Sequence, residues 1–161
     1  MQRQLIVGIM GGGAADKALL DKAFHLGRLI AENNWILLNG GRDAGIMGAS
    51  ARGAAEHGGM IIGILPGDTL AGASPYLTIP VRTGMGNARN CINVLSSDII
   101  VAYPGGAGTL SEIALALKHN KPVITLGFSL PDLPGLHLNR DRLFSTQTPE
   151  SAIEIIKDQA F

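Results

Sequence analysis

The chain has 161 residues, of which 46% are hydrophobic but only 4% aromatic, and 22 are glycine. Its 13 basic and 13 acidic residues are scattered, so no polybasic run marks a nucleic-acid groove or an anionic membrane surface. Cys91 is the only cysteine, which excludes an internal disulfide and a cysteine-based zinc site.

His25, His57, His119 and His137 lack metal-ligand spacing, so no protein-ligated metal is expected. No apolar run is long enough for a bilayer and no export signal opens the chain, which points to the cytoplasm.

Gln4 to Met10 reads as a buried strand entering the turn Gly11-Gly12-Gly13. Helical spacing follows from Asp16 to Glu32, with Leu20, Phe24, Gly27 and Ala31 on one stripe, and Asn33-Asn34 as the stop. Trp35 to Leu38 is a second strand, closed by Asn39-Gly40-Gly41. An Ala/Gly-rich helix is predicted over Gly45 to His57, stopped by Gly58-Gly59. Met60 to Leu65 is a third strand, and Leu77 to Val81 is short and extended.

Gly84 to Ser97 reads as a helix behind a glycine entry, and Asp98 to Tyr103 as a strand ending at Pro104-Gly105-Gly106. A helix from Thr109 to Asn120 and a strand from Val123 to Leu126 follow, while Gly127 to Thr146 has no clear period. Thr148 as cap and Pro149 at the first position start a last helix, anchored by Ile153 and Ile156.

Strands alternating with helices imply an α/β fold: a doubly wound, mostly parallel sheet with helices on both faces, as one domain over residues 1–161. Ligands of such sheets bind outside the carboxyl ends of the strands, where strand order reverses. Three predicted strands end there in glycine: Gly11, Gly12 and Gly13; Asn39, Gly40 and Gly41, with Gly45 beyond; and Gly105 and Gly106. Turn geometry alone accounts for any one cluster, but three on one sheet edge point to a site.

The most informative stretch is Pro104 to Glu112. It opens a helix behind a glycine turn, so free N–H groups and the positive helix end converge on an approaching anion. Gly108 keeps the backbone accessible, and the Thr109 hydroxyl is either a further donor or a cap. Glu112 shares the helix face of Thr109 and is either a ligand contact or a favourable acid near a helix start. Arg89 is either a surface arginine or a clamp for a phosphate, and Asn87 and Asn90 beside it in the glycine entry favour the clamp. NAD is not expected. The first turn lacks the third glycine of the dinucleotide fingerprint, Asn39 replaces the usual acid, and no Walker-type loop is present.

Gly40 to Gly48, Arg89 and Pro104 to Glu112 together resemble the Rossmann-like superfamily of the LOG cytokinin-activating phosphoribohydrolases and the molybdenum cofactor carrier proteins. The likeness runs from the first strand to about Leu126. LOG enzymes carry an Arg-Lys pair ahead of the PGG motif, whereas this chain has Arg89 followed by Asn90. Leu77 to Asn90 is closer to the carrier branch. The resemblance implies a homotetramer that binds molybdenum cofactor, an anionic pterin phosphate, without transforming it. The alternative is a LOG-like hydrolase of nucleoside 5′-monophosphates, with Arg89 and Glu112 as its catalytic pair. A nucleotide-binding module with a regulatory use is a third reading. The lightly charged helices and the Ala/Gly-rich segment also imply a symmetric homo-oligomer, dimer or tetramer.

Overall fold

The computed structural model describes residues 3–131 and 140–160. Seven strands form one sheet in the order β4-β3-β2-β1-β5-β6-β7, and every pairing is parallel. In chain order the strands are β1 (Ile6–Met10), β2 (Ile36–Asn39), β3 (Met60–Leu65), β4 (Ile79–Arg82), β5 (Ile99–Ala102), β6 (Val123–Leu126) and β7 (Leu143–Thr146). The helices are α1 (Lys17–Glu32), α2 (Gly45–Ala55), α3 (Arg89–Ser96), α4 (Ala107–Lys118) and α5 (Pro149–Ala160). Strand order therefore reverses between β1 and β5.

Successive side chains of a strand point to opposite faces, and here each face has its own core. Val7, Ile9, Leu37, Ile99, Val101 and Ile124 pack with α1, α2 and α5. Met10, Leu38, Ile100, Ala102 and Val123 pack with α3 and α4. The near-continuous apolar strands of the sequence are what a sheet covered on both faces requires.

Helix boundaries follow local chemistry. Asp16 caps α1 by accepting the Leu19 N–H at 2.8 Å, and Asn34 leaves the helix at a φ of 58°. Thr148 Oγ1 accepts the Ser151 N–H at 3.3 Å at the head of α5. α1 and α2 pack backbone to backbone: a Cβ at Gly27 would overlap Ser50 O, and one at Gly53 would overlap Phe24 O.

Several expectations need correction. The helix predicted from Gly84 begins only at Arg89, because Gly84 and Gly86 have φ of 63° and 54° and no α-helix accommodates them. A short 3-10 turn over Gly86–Ala88 fills the gap. α4 starts at Ala107, so Gly106 is its N-cap and Thr109 is not. α2 stops at Ala55, short of His57. Asp98 lies outside β5, where its Oδ2 accepts the Ile6 N–H at 2.9 Å. β7 was hidden in the aperiodic stretch, being a short, half-exposed strand at the sheet edge. Residues 132–139 of that stretch lie outside the described residues. Among the described residues no helix is long and apolar enough to cross a membrane.

Candidate functional site

The carboxyl ends of β1 and β5 part at the reversal point and open a cleft of about 230 Å³. Backbone hydrogen bonds stitch its walls together. The Gly12 N–H donates to Pro104 O at 3.1 Å, and the Ile46 N–H donates to Gly12 O at 3.1 Å. α2 can close on the first turn because Gly45 has a φ of 50° and a Cβ there would overlap Gly12 O.

Most of the expected residues meet at this cleft. Gly11, Gly12, Gly13, Gly40, Asn87, Arg89, Asn90, Gly106, Gly108, Thr109 and Glu112 line it, joined by Ile9, Met10 and Met47. Asn39, Gly41, Gly45 and Gly105 stand behind the lining. Asn39 is buried; its Nδ2 donates to Met47 O at 3.0 Å and its Oδ1 accepts the Gly41 N–H at 2.8 Å, so it shapes the turn. A Cβ at Gly105 would overlap the Thr109 hydroxyl, so that glycine lets the α4 turn close.

The head of α4 is suited to an anion. Its N-cap, Gly106, offers no side-chain hydrogen bond, its first turn carries no acid, and the first helical bond runs from the Leu110 N–H to Gly106 O. The N–H groups of Ala107, Gly108 and Thr109 are thus left to a ligand or water. A Cβ at Gly106 meets nothing within 4 Å, so the space before these amides is open.

Arg89 is the first residue of α3. Its guanidinium fills the volume a side chain at position 40 would take, since a Cβ on Gly40 would overlap it. Its buried Nε has no hydrogen-bond partner. Burial pulls its pKa below the usual guanidinium value, Glu112 pulls it back up, and Arg42 pushes it down again. Across the cleft Glu112 is 7% exposed and accepts Asn93 Nδ2 on Oε1 at 2.7 Å. Burial lifts its pKa above the ordinary carboxylate range, against the lowering effects of the Asn93 hydrogen bond and Arg89. Asn90 bridges the two helices, its Nδ2 donating to Ser111 Oγ at 3.0 Å. A cationic group and a desolvated carboxylate thus flank a row of free amides. The arrangement has the chemistry to hold a phosphate or similar anion, with one acceptor left over for another part of a ligand.

Asn93, Ser111 and Met47 escaped the sequence reading. Asn93 carried a usable signal: it follows Arg89 by one helical turn and interrupts an apolar stretch, where a polar side chain needs a partner.

The raised Glu112 value has a testable sign. A carboxyl whose folded pKa exceeds its unfolded value contributes stability that is complete below the unfolded pKa and lost as pH rises through the folded one. Glu112→Gln should therefore match the parent's melting temperature below about pH 4 and exceed it at neutral pH. Thermal melts across pH read this directly; a variant less stable at pH 7 would contradict it.

A model of the SLOG cluster4 family matches residues 4–159. The chain is 43% identical to the molybdenum cofactor binding protein of Rippkaea orientalis, with a TM-score of 0.91 and both chains covered in full. It is 39% identical to the molybdenum cofactor carrier protein of Chlamydomonas reinhardtii, with a TM-score of 0.88 over 98% of this chain and 99% of that one. A cytokinin riboside 5′-monophosphate phosphoribohydrolase of Rhodococcoides fascians is 29% identical over 63% of this chain and 56% of its own length. The chain thus spans little more than half of that enzyme.

Proposed function

The chain belongs to the SLOG cluster4 family, and we propose that it is a molybdenum cofactor carrier that holds the cofactor's phosphate at the head of α4. The full-length likeness to a cofactor-binding and a carrier protein supports this over hydrolysis, for which the likeness is lower and partial. The observation that carries the reading is Asn90. It stands where the hydrolase pattern has a lysine, and its amide is spent on Ser111 of α4.

Carriage needs ground-state affinity, whereas hydrolysis needs a group that stabilises the glycosidic transition state. The cleft supplies affinity: Gly108 and Thr109 amides for a phosphate, Arg89 for its charge, and glycine walls that let the ligand approach the backbone. The cofactor is cargo in this reading, and the chain supplies only orientation and shelter. The same proposal takes the protein as cytoplasmic and as a homo-oligomer, the tetramer favoured by the family resemblance and readable by light scattering.

The test pairs two assays on the purified protein. Binding of molybdenum cofactor is expected, together with no meaningful release of free base from a panel of nucleoside 5′-monophosphates. Robust base release that disappears in Glu112→Gln would replace the carrier by the hydrolase.

A further inference from the structure

Asn93 is wholly buried in the middle of α3, one turn beyond Arg89. Burying an amide among apolar side chains is costly unless its hydrogen bonds are made. Here one is made, from Nδ2 to Glu112 Oε1, and Oδ1 has no partner. An apolar residue of similar size would avoid that cost, so the side chain's place is explained by what it does to Glu112.

A carboxylate clamped on one oxygen from within the protein is fixed in rotation, and Glu112 lines the cleft. No other hydrogen bond is made by this carboxylate within the described residues. The charged group facing it is Arg89 on α3, and Arg42 in the loop after β2 faces Arg89 in turn. The first turn of α4 adds no acid. No direct ion pair joins Arg89 and Glu112, which leaves room between them.

We propose that Asn93 is a positioning residue: its amide N–H holds Glu112 as a carboxylate fixed on the cleft wall, with the second oxygen free to accept a hydrogen bond from the ligand. This rests on reading the cleft as a ligand site, but not on which ligand it takes. With the Asn93 donor removed, burial acts on Glu112 opposed by Arg89 alone, and the carboxyl should hold its proton into higher pH.

The experiment follows the Glu112 carboxyl by carbon NMR in the full chain labelled at glutamate side chains, its resonance assigned by its loss in Glu112→Gln. Asn93→Leu keeps the volume without a donor, and Asn93→Ser, too short to reach the carboxylate, covers the case in which leucine does not fold. The Glu112 midpoint is expected to rise by about one pH unit in either variant, about tenfold tighter proton binding. A merely structural asparagine would leave that midpoint unchanged in a folded variant, and this result would overturn the proposal. Sulfate, whose charge is constant over this range, is the second readout. Its affinity should fall as Glu112 ionises, with a midpoint that moves up in step in the Asn93 variants and vanishes in Glu112→Gln. Sulfate that fails to bind the parent chain would count against the anion site, while the NMR titration would still decide the role of Asn93.

Discussion

Gly106→Val should cost the protein its anion affinity by on the order of 100-fold or more while leaving its melting temperature nearly unchanged. Position 106 is the N-cap of α4, in an extended conformation with φ of −88° and ψ of −159°, outside the left-handed region that demands glycine. A Cβ there meets no protein atom within 4 Å, so the fold does not resist the substitution. The added methyls instead enter the open space at Gly106, which lines the cleft beside Gly108 and Thr109. Hydrogen bonds to a charged group contribute roughly 1.5–3 kcal/mol each, so losing two of them gives a loss of the stated order. Titration with sulfate or inorganic phosphate beside a thermal melt separates the two effects. Affinity equal to that of the parent would move the anion site away from α4.

Gly53→Ala is expected to do the opposite and damage the fold at a distance from the cleft. Its Cβ would overlap the Phe24 carbonyl oxygen, a backbone atom that cannot swing aside, because α1 and α2 meet there without side chains between them. Forcing the helices apart should cost roughly 3 kcal/mol, at the upper end of ordinary overpacking, and lower the melting temperature by about 6–12 °C at this chain size. Gly13→Ala is the matched control, since its Cβ meets nothing within 4 Å. Calorimetry showing equal melting temperatures for the two variants would mean that the helices adjust more freely than their packing implies.

The fold was legible because both of its main signals are local. Apolar runs mark strands buried on both faces, and residues such as Asp16, Asn34 and Thr148 mark helix ends by capping or left-handed geometry. β7 was not legible, since a half-exposed edge strand needs no strong apolar pattern. The glycine turns and Arg89 identified the cleft because backbone amides and a guanidinium advertise anion chemistry in any context. Sequence could not divide the glycines that line the cleft from those that let its walls close. Gly106 and Gly105 are neighbours, yet one fronts open space and the other makes room for Thr109. Asn93 shows a different gap: its partner is distant in sequence, and only the packing of α3 on α4 brings them together.

The fit of Arg89 into the volume left by Gly40 has an evolutionary consequence. The two positions are coupled, because a Cβ at 40 would displace the guanidinium, the far end of a flexible side chain, from the volume it now fills. Among relatives the two should change together. A lineage that acquires alanine or serine at 40 should carry a residue at 89 that is either shorter or turned out of that volume, and the placement of charge in the cleft should change with it.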